Sequence, residues 1–108
     1  MPASLKFNTT TIGRRLRQAR ERAGLAQDRL GVLAGLEESS SSARISRYES
    51  GVHEPPLKFA EELAKVLGVP VAFFYCSDDL LAEIILAYSS LSETKRQKLA
   101  EVARDLAL

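Results

Sequence analysis

The chain has 108 residues, which is enough for one domain with a single core and too little for a two-domain enzyme. Its 45% hydrophobic and 27% charged residues are typical of an ordinary globular protein. The formal net charge is only +1, so the whole-chain charge indicates no polyanionic partner. That value is an average: residues 1–60 hold 10 basic and 6 acidic side chains (+4), and residues 61–108 hold 5 and 8 (−3).

Cysteine and histidine are too scarce for most site chemistry. Cys76 and His53 are the only residues of their types, which excludes an intramolecular disulfide and a Cys/His zinc site within one copy. We expect Cys76 to lie half-buried near a helix end, His53 to lie in a loop, and no cofactor or metal to bind. With no glycine-rich phosphate loop either, no enzymatic activity is expected.

No segment of the sequence predicts insertion into a membrane. The most apolar stretch, residues 66–76, is about half of the roughly 20 residues that a membrane-spanning helix needs. Residues 1–6 lack the apolar core of a signal peptide. The sequence thus predicts a cytoplasmic protein with no membrane partner and no evident small-molecule ligand.

Helical periodicity describes the chain from residue 12 onward, and no useful stretch alternates with the period of two of a strand. Residues 1–11 carry no pattern and are predicted to form an N-terminal arm, with Thr11 as the first N-cap. The predicted helices are 12–23, about 27–34, a third that starts between Glu37 and Ser42, 56–67, 70–75, and two C-terminal helices within 79–107. The predicted fold is all-α.

Two short helices joined by a glycine-containing turn, with arginines on the first and a Ser/Arg-rich third helix, are typical of a helix-turn-helix DNA reader. The sequence resembles the phage-repressor-like (Xre-type) helix-turn-helix regulators. The segments that carry the resemblance are Ile12–Arg20, Gly24–Gln27 with Leu30, Ile45–Gly51, Pro56, Leu63–Ala64, Leu67–Pro70 and Phe73–Phe74. It implies a five-helix DNA-binding domain over residues 12–76, followed by a C-terminal two-helix hairpin over residues 77–108.

The resemblance also implies roles for individual residues. Gln27 matches a glutamine that contacts the DNA backbone and braces the recognition helix. The other residues expected to face DNA are Ser39, Ser40, Ser41, Ser42, Arg44, Arg47, Arg17 and Lys58. For Arg17 and Lys58 a solvated surface role is an equal alternative. Arg20 and Glu49 match a structural ion pair, and the positions of Ile45 and Tyr48 belong to the core.

One segment departs from the family pattern. The spacing between Gly35 and Ile45 is about four residues longer than usual, so Leu36–Ser40 is an insertion. Four residues are close to one helical turn. If they extend the recognition helix, Ser39 and Ser40 lie nearest the groove; if they loop out, Ser42 and Arg44 lead. The sequence leaves both alternatives open.

We therefore expect a sequence-specific regulator of transcription, acting as a repressor on double-stranded DNA. Two-fold symmetric operators are commonly read by dimers, so the C-terminal apolar stripe is expected to help form a homodimer. That stripe comprises Leu81, Ile84, Ile85, Tyr88, Leu99, Val102 and Leu106. The alternative is that it packs back on its own core. An alternative function is a helical interaction module, such as an antitoxin or a partner-binding regulator.

Overall fold

The computed structural model describes residues 10–108, so residues 1–9 of the predicted arm (residues 1–11) lie outside that range. Six α-helices and one 3-10 helix are present, and no strand occurs among the described residues. The helices are α1 (Thr11–Ala23), α2 (Gln27–Leu33), α3 (Glu38–Ser50), α4 (Leu57–Leu67), the 3-10 helix (Val71–Tyr75), α5 (Asp79–Ser89) and α6 (Glu93–Ala107). The predicted all-α fold is confirmed, with five helices before the C-terminal pair.

Most helix ends follow from local sequence, with small corrections. Thr10, not Thr11, is the N-cap of α1, since its hydroxyl accepts a hydrogen bond from the Gly13 amide at 3.0 Å. Thr11 is already the first helical residue. Asp78 and Ser92 cap α5 and α6 in the same way. Short polar side chains directly before an apolar pattern therefore mark three of the six α-helix starts.

The core forms where the first four α-helices and the 3-10 helix converge. Its fully buried large side chains are Leu16, Leu30, Ile45, Leu63, Phe73 and Phe74. Gly13 lets α1 approach the end of α3, because a Cβ on Gly13 would lie 2.6 Å from the Glu49 carbonyl oxygen and 2.7 Å from that of Tyr48. A side chain at this position would separate α1 from the helix that carries the serine run.

Arg15 joins α1 to the segment that leads into the C-terminal helices. It is 2% exposed, and its Nε donates to the Cys76 carbonyl oxygen at 2.7 Å. Its Nη2 donates to Ser77 O at 3.3 Å and to Asp79 Oδ1 at 2.8 Å. The guanidinium also stands 5.6 Å from the centroid of the Phe73 ring. The start of α5 is thus tied to α1 through one buried cation.

The two C-terminal helices differ in how far they pack. Ala82 of α5 is buried, and Ile85 and Leu86 pack against the core. Ile85 was expected to belong to the dimer-forming stripe, and this expectation is corrected. The outward face of α5 carries Leu81, Ile84 and Tyr88, which are 43–49% exposed. None of the residues of α6 is buried. The alternative that the stripe packs back on its own core therefore holds for Ile85 and not for Leu81, Ile84 and Tyr88.

A single arginine fixes α6 to the end of α5. The Nε and Nη2 atoms of Arg96 each donate at 3.0 Å, to the carbonyl oxygens of Tyr88 and Ser89 respectively. Its guanidinium lies over the Tyr88 ring, 4.6 Å from the centroid. Because Arg96 donates from α6 to two carbonyl oxygens in the last turn of α5, it orients α6 and caps α5 together. No helix among residues 10–108 has both the length and the apolar composition needed to cross a bilayer.

Replacement of Arg15 by alanine is expected to lower the free energy of unfolding by about 1–3 kcal/mol, because it leaves buried carbonyl oxygens without donors. Urea denaturation followed by circular dichroism measures this. Arg14 is the matched control: it bonds the same Asp79 carboxylate at 3.1 Å, but its side chain is 42% exposed. Arg14→Ala should therefore cost about 1 kcal/mol or less. Equal losses in the two variants would contradict the assigned role of Arg15.

The hydrogen bond from Arg15, and to a smaller extent the one from Arg14, holds the pKa of Asp79 below its usual range. The stabilisation from this contact is present above the unfolded-state pKa and is lost as the pH falls through the lowered folded-state pKa.

Candidate nucleic-acid interface

The insertion after Gly35 lengthens α3. The helix begins at Glu38, so Glu38, Ser39 and Ser40 form its first turn, and Leu36 packs against the core just before it. The insertion therefore extends the predicted recognition helix at its N-terminus. Glu38 stands at the positive end of the helix dipole, where a carboxylate is favourable.

The serine run is divided between two faces of α3. Ser41 is fully buried on the same face as Ile45 and Tyr48, and its hydroxyl donates to the Asp28 carbonyl oxygen at 2.6 Å. Gly31 of α2 faces it so closely that an added Cβ would lie 1.9 Å from the Ser41 Oγ. The expectation that Ser41 faces DNA is therefore corrected: this hydroxyl joins α2 to α3.

The other serines remain on the outer surface. Ser39 and Ser42 are exposed, while Ser40 is half-buried and its hydroxyl donates to the Glu37 carbonyl oxygen at 3.4 Å. Ser46 is also exposed and lies one helical turn after Ser42. The outward face of α3 thus presents small hydroxyl side chains, which allow close approach of another surface. The sequence analysis did not predict Ser46 as a DNA-facing residue, although its i+4 spacing from Ser42 places both on one face of a helix.

A small pocket borders this face on the side of α2. It has a volume of about 190 Å³ and is lined by Arg17, Gln27, Ser46, Glu49 and Ser50. Arg17 reaches it from α1 while also contacting Glu21 at 3.3 Å. The structure thus brings two of the predicted DNA-facing residues, Arg17 and Gln27, together beside Ser46. Ser50 was not expected there.

A cluster of three side chains holds α3 in place beneath this pocket. The carboxylate of Glu49, 6% exposed, accepts hydrogen bonds from the Arg20 guanidinium and, at 3.1 Å, from the Gln27 amide nitrogen. The bond to Glu49 raises the pKa of Arg20. The predicted ion pair is confirmed, and Gln27 makes a bracing contact with α3. One carboxylate on α3 therefore contacts both α1 and α2.

A second pocket borders α3 on the opposite side, where the loop to α4 returns past the helix. Its volume is about 410 Å³, and Arg44 and Arg47 of α3 contribute its cationic side chains. The Arg44 Nη2 donates to the Tyr48 hydroxyl at 3.0 Å, which keeps the guanidinium beside the helix. The structure thus groups these two predicted residues.

Lys58 is the one predicted residue that lines neither pocket and does not belong to α3. It is exposed in the first turn of α4. Among residues 10–108, no group of three His, Cys, Asp or Glu side chains could hold a metal ion. The polar groups that the structure does bring together are arginines, an amide and hydroxyls, which bind anions and hydrogen-bonding surfaces.

These features define a helix-turn-helix protein: α2 and α3 are the two helices of the motif, and α1 braces both. A family model described as "Helix-turn-helix domain" matches residues 11–72, and the chain belongs to that family. A solved structure entitled "Crystal structure of transcriptional regulator BswR" is 45% identical to this chain, with a TM-score of 0.82. That match covers 86% of this chain and 92% of the other. No curated protein matches the sequence.

The division of the serine run predicts different effects of two alanine substitutions on stability. Ser41→Ala removes the buried bond to the Asp28 carbonyl oxygen and should lower the free energy of unfolding by about 1 kcal/mol. Ser42→Ala removes the same hydroxyl group from the exposed face of α3 and should change the free energy of unfolding by less than about 0.5 kcal/mol. Urea titrations of both variants provide the measurement. A loss in Ser42→Ala as large as that in Ser41→Ala would argue against the assigned faces.

Proposed function

We propose that this protein is a sequence-specific transcriptional regulator of the Xre type, a repressor that reads the major groove of double-stranded DNA with α3 as a homodimer. In this proposal residues 12–76 are the DNA-binding domain and residues 77–108 are a dimerisation extension. The similarity to a solved transcriptional regulator supports the class of function. The protein would act in the cytoplasm of a bacterial cell, where its operator is accessible.

The arrangement around α3 is the observation that carries the proposal. An exposed helix face of small hydroxyl side chains lies between the Arg17–Gln27 pocket and the Arg44–Arg47 pocket. The major groove admits an α-helix, and phosphates line both of its edges. Serine hydroxyls can contact either member of a base pair, while arginine and amide groups on the flanks bind phosphates and fix the register. Ser39, Ser42 and Ser46 are then the candidates for base contacts.

The charge distribution along the chain also supports binding to DNA through α3. The +4 half of the chain contains α1 to α3, and the −3 half contains α5 and α6. A phosphate backbone attracts the first half and repels the acidic part of the second, so α5, which carries Asp79 and Glu83 and no basic residue, is expected to lie away from the duplex. A repressor needs only to occupy its operator. The DNA-binding domain and its extension would therefore suffice for repression.

Removal of one phosphate contact should reduce the dependence of DNA binding on salt. We expect Arg47→Ala to weaken binding to all duplexes similarly and to lower the slope of log K against log salt by about 1. Fluorescence anisotropy with a labelled duplex selected from a random pool measures both quantities. Lys65→Ala is the control, because Lys65 is exposed on α4 beside Glu62 and lies outside both pockets. A flat salt dependence of the unaltered protein would overturn the proposal.

The proposal of a homodimer is based on the exposed and half-buried apolar residues of α6. Leu99, Val102, Ala103 and Leu106 recur with helical spacing, yet none of them is buried. Isolated helices of about 15 residues are only marginally stable in water. A helix such as α6 is therefore stabilised when another apolar surface covers its apolar stripe. Leu81, Ile84 and Tyr88 extend the exposed apolar surface along α5.

A second copy of the chain fits this surface by its sequence. If two α6 helices cross antiparallel about a two-fold axis between residues 102 and 103, Leu99 lies opposite the partner's Leu106. In the same register, Val102 lies opposite the partner's Ala103. Apolar residues then meet apolar residues across the axis, as an isologous interface requires. This self-complementarity favours a homodimer over an unrelated partner.

We expect a chain that ends after Leu91 to be monomeric by light scattering, because it lacks α6. Ending there retains Asp79 and Ala82, which bind to the domain. In the full chain, Val102→Glu should dissociate the dimer, since it buries a charge at the axis. Gln97→Glu adds the same charge on the opposite face of α6 and should leave the dimer intact. A dimer that survives both the truncation and Val102→Glu would refute this interface.

The same uncovered stripe favours the alternative function, an interaction module such as an antitoxin or a partner-binding regulator. In that case the full chain would be monomeric by itself. Light scattering therefore separates the two: a dimer sensitive to Val102→Glu supports the homodimeric regulator, and a monomer favours the interaction module.

A further inference from the structure

His53 lines the larger of the two pockets that border α3. The pocket is bounded by Arg44, Arg47 and Tyr48 on the helix and by His53 and Glu54 on the loop. Gly51 ends α3 with φ of 84°, and this turn brings the chain back along the helix. The His53 amide then donates to the Arg47 carbonyl oxygen at 3.2 Å, which holds the loop against the last turn of α3. The backbone of His53 is therefore held beside the last turn of α3, at the edge of the pocket.

The pocket has the composition of an anion site. Arg44 is held beside Tyr48 by its bond to the hydroxyl and by its position 6.0 Å from the ring centroid. Among residues 10–108, the Arg47 side chain makes no hydrogen bond or ion pair, and it is exposed together with His53. Two arginine forks and an imidazole thus surround a space of about 410 Å³ next to the surface proposed to contact DNA.

Glu54 is the one acidic residue of the pocket and opposes an anion there. It also lies near the ring of Tyr75, whose pKa is raised by burial and then by the carboxylates of Glu54 and Glu61. The pocket therefore carries two positive charges and one negative charge when His53 is neutral, and a third positive charge when it is protonated.

We propose that His53 is a third ligand, with Arg44 and Arg47, of a DNA backbone phosphate, and that DNA binding is coupled to protonation of its imidazole. This inference rests on the proposed DNA-binding function and adds a contact residue and a pH dependence to it. The uncharged imidazole has one N–H, whereas the imidazolium has two and carries a charge. The protonated form binds phosphate more tightly, so the affinity for DNA rises as the pH falls.

The composition of the chain makes this coupling measurable. Histidine is the residue type whose charge ordinarily changes near neutral pH, whereas the other side chains that face His53 belong to types whose charge ordinarily does not. Those groups are Arg44, Arg47 and Tyr48 on α3 and Glu54 on the loop. His53 is also the only histidine of the chain. A change in DNA affinity near neutral pH can therefore be assigned to one side chain.

The test measures the affinity of the full-length chain for a duplex selected from a random-sequence pool and labelled with a pH-insensitive rhodamine dye, at constant ionic strength, from pH 5.5 to 7.5. The unaltered protein should bind about five-fold more tightly at pH 5.5 than at pH 7.5, as one added charge-assisted hydrogen bond implies. His53→Gln should bind with almost the same affinity at all pH values. His53→Arg should also lose the pH dependence, but should bind tightly throughout.

Glu54→Gln is the matched control, since it changes the charge of the pocket without removing the histidine. It should strengthen binding and keep a pH dependence. A pH-independent affinity of the unaltered protein, or a pH dependence that persists in His53→Gln, would overturn the role of His53 while leaving the DNA-binding function intact. Absence of binding to any duplex at every pH would overturn both. Circular dichroism of each variant confirms that the compared proteins are folded.

Discussion

The carboxylate of Glu49 is the constraint on which the arrangement of the motif depends. It lies almost at the end of α3, and it accepts hydrogen bonds from Arg20 on α1 and Gln27 at the first residue of α2. A buried pair of this kind contributes little net stability, but loss of either partner leaves the other charge poorly compensated. Its main consequence is geometric. The orientation of α3 is defined relative to both preceding helices by a single side chain.

The same end of α3 is fixed a second time by backbone packing. The absence of a side chain at Gly13 lets α1 lie against the carbonyl oxygens of Tyr48 and Glu49. Further along α3, the Ser41 hydroxyl bonds to the α2 backbone across from Gly31. These contacts cover one face of α3 from its first third to its last turn. The opposite face remains open, so the serines that point there are presented on a rigid element, as a precise binding surface requires.

The C-terminal helices combine fixed joints with an uncovered surface. Arg15 ties the start of α5 to α1, and Arg96 ties the start of α6 to the end of α5. Through these two joints, α6 has a defined direction relative to α3 although it buries none of its residues. If α6 pairs with a second copy, the two recognition helices are held at a set separation. The spacing of operator half-sites would then be decided by contacts far from the DNA.

The sequence by itself determined the all-α fold, the order of the helices, most of the core and the pairing of Arg20 with Glu49. Those features depend on local signals, such as caps and apolar spacing, or on motif positions that a family resemblance carries. Only the tertiary structure decided which serines of α3 are buried, since Ser41 is removed from the surface by the position of α2. The tertiary structure likewise brings Ser46 and Arg17 into one pocket, and His53 and Arg44 into another. The physical reason is that burial and pocket formation depend on contacts between residues distant in the chain, which spacing along one helix does not specify.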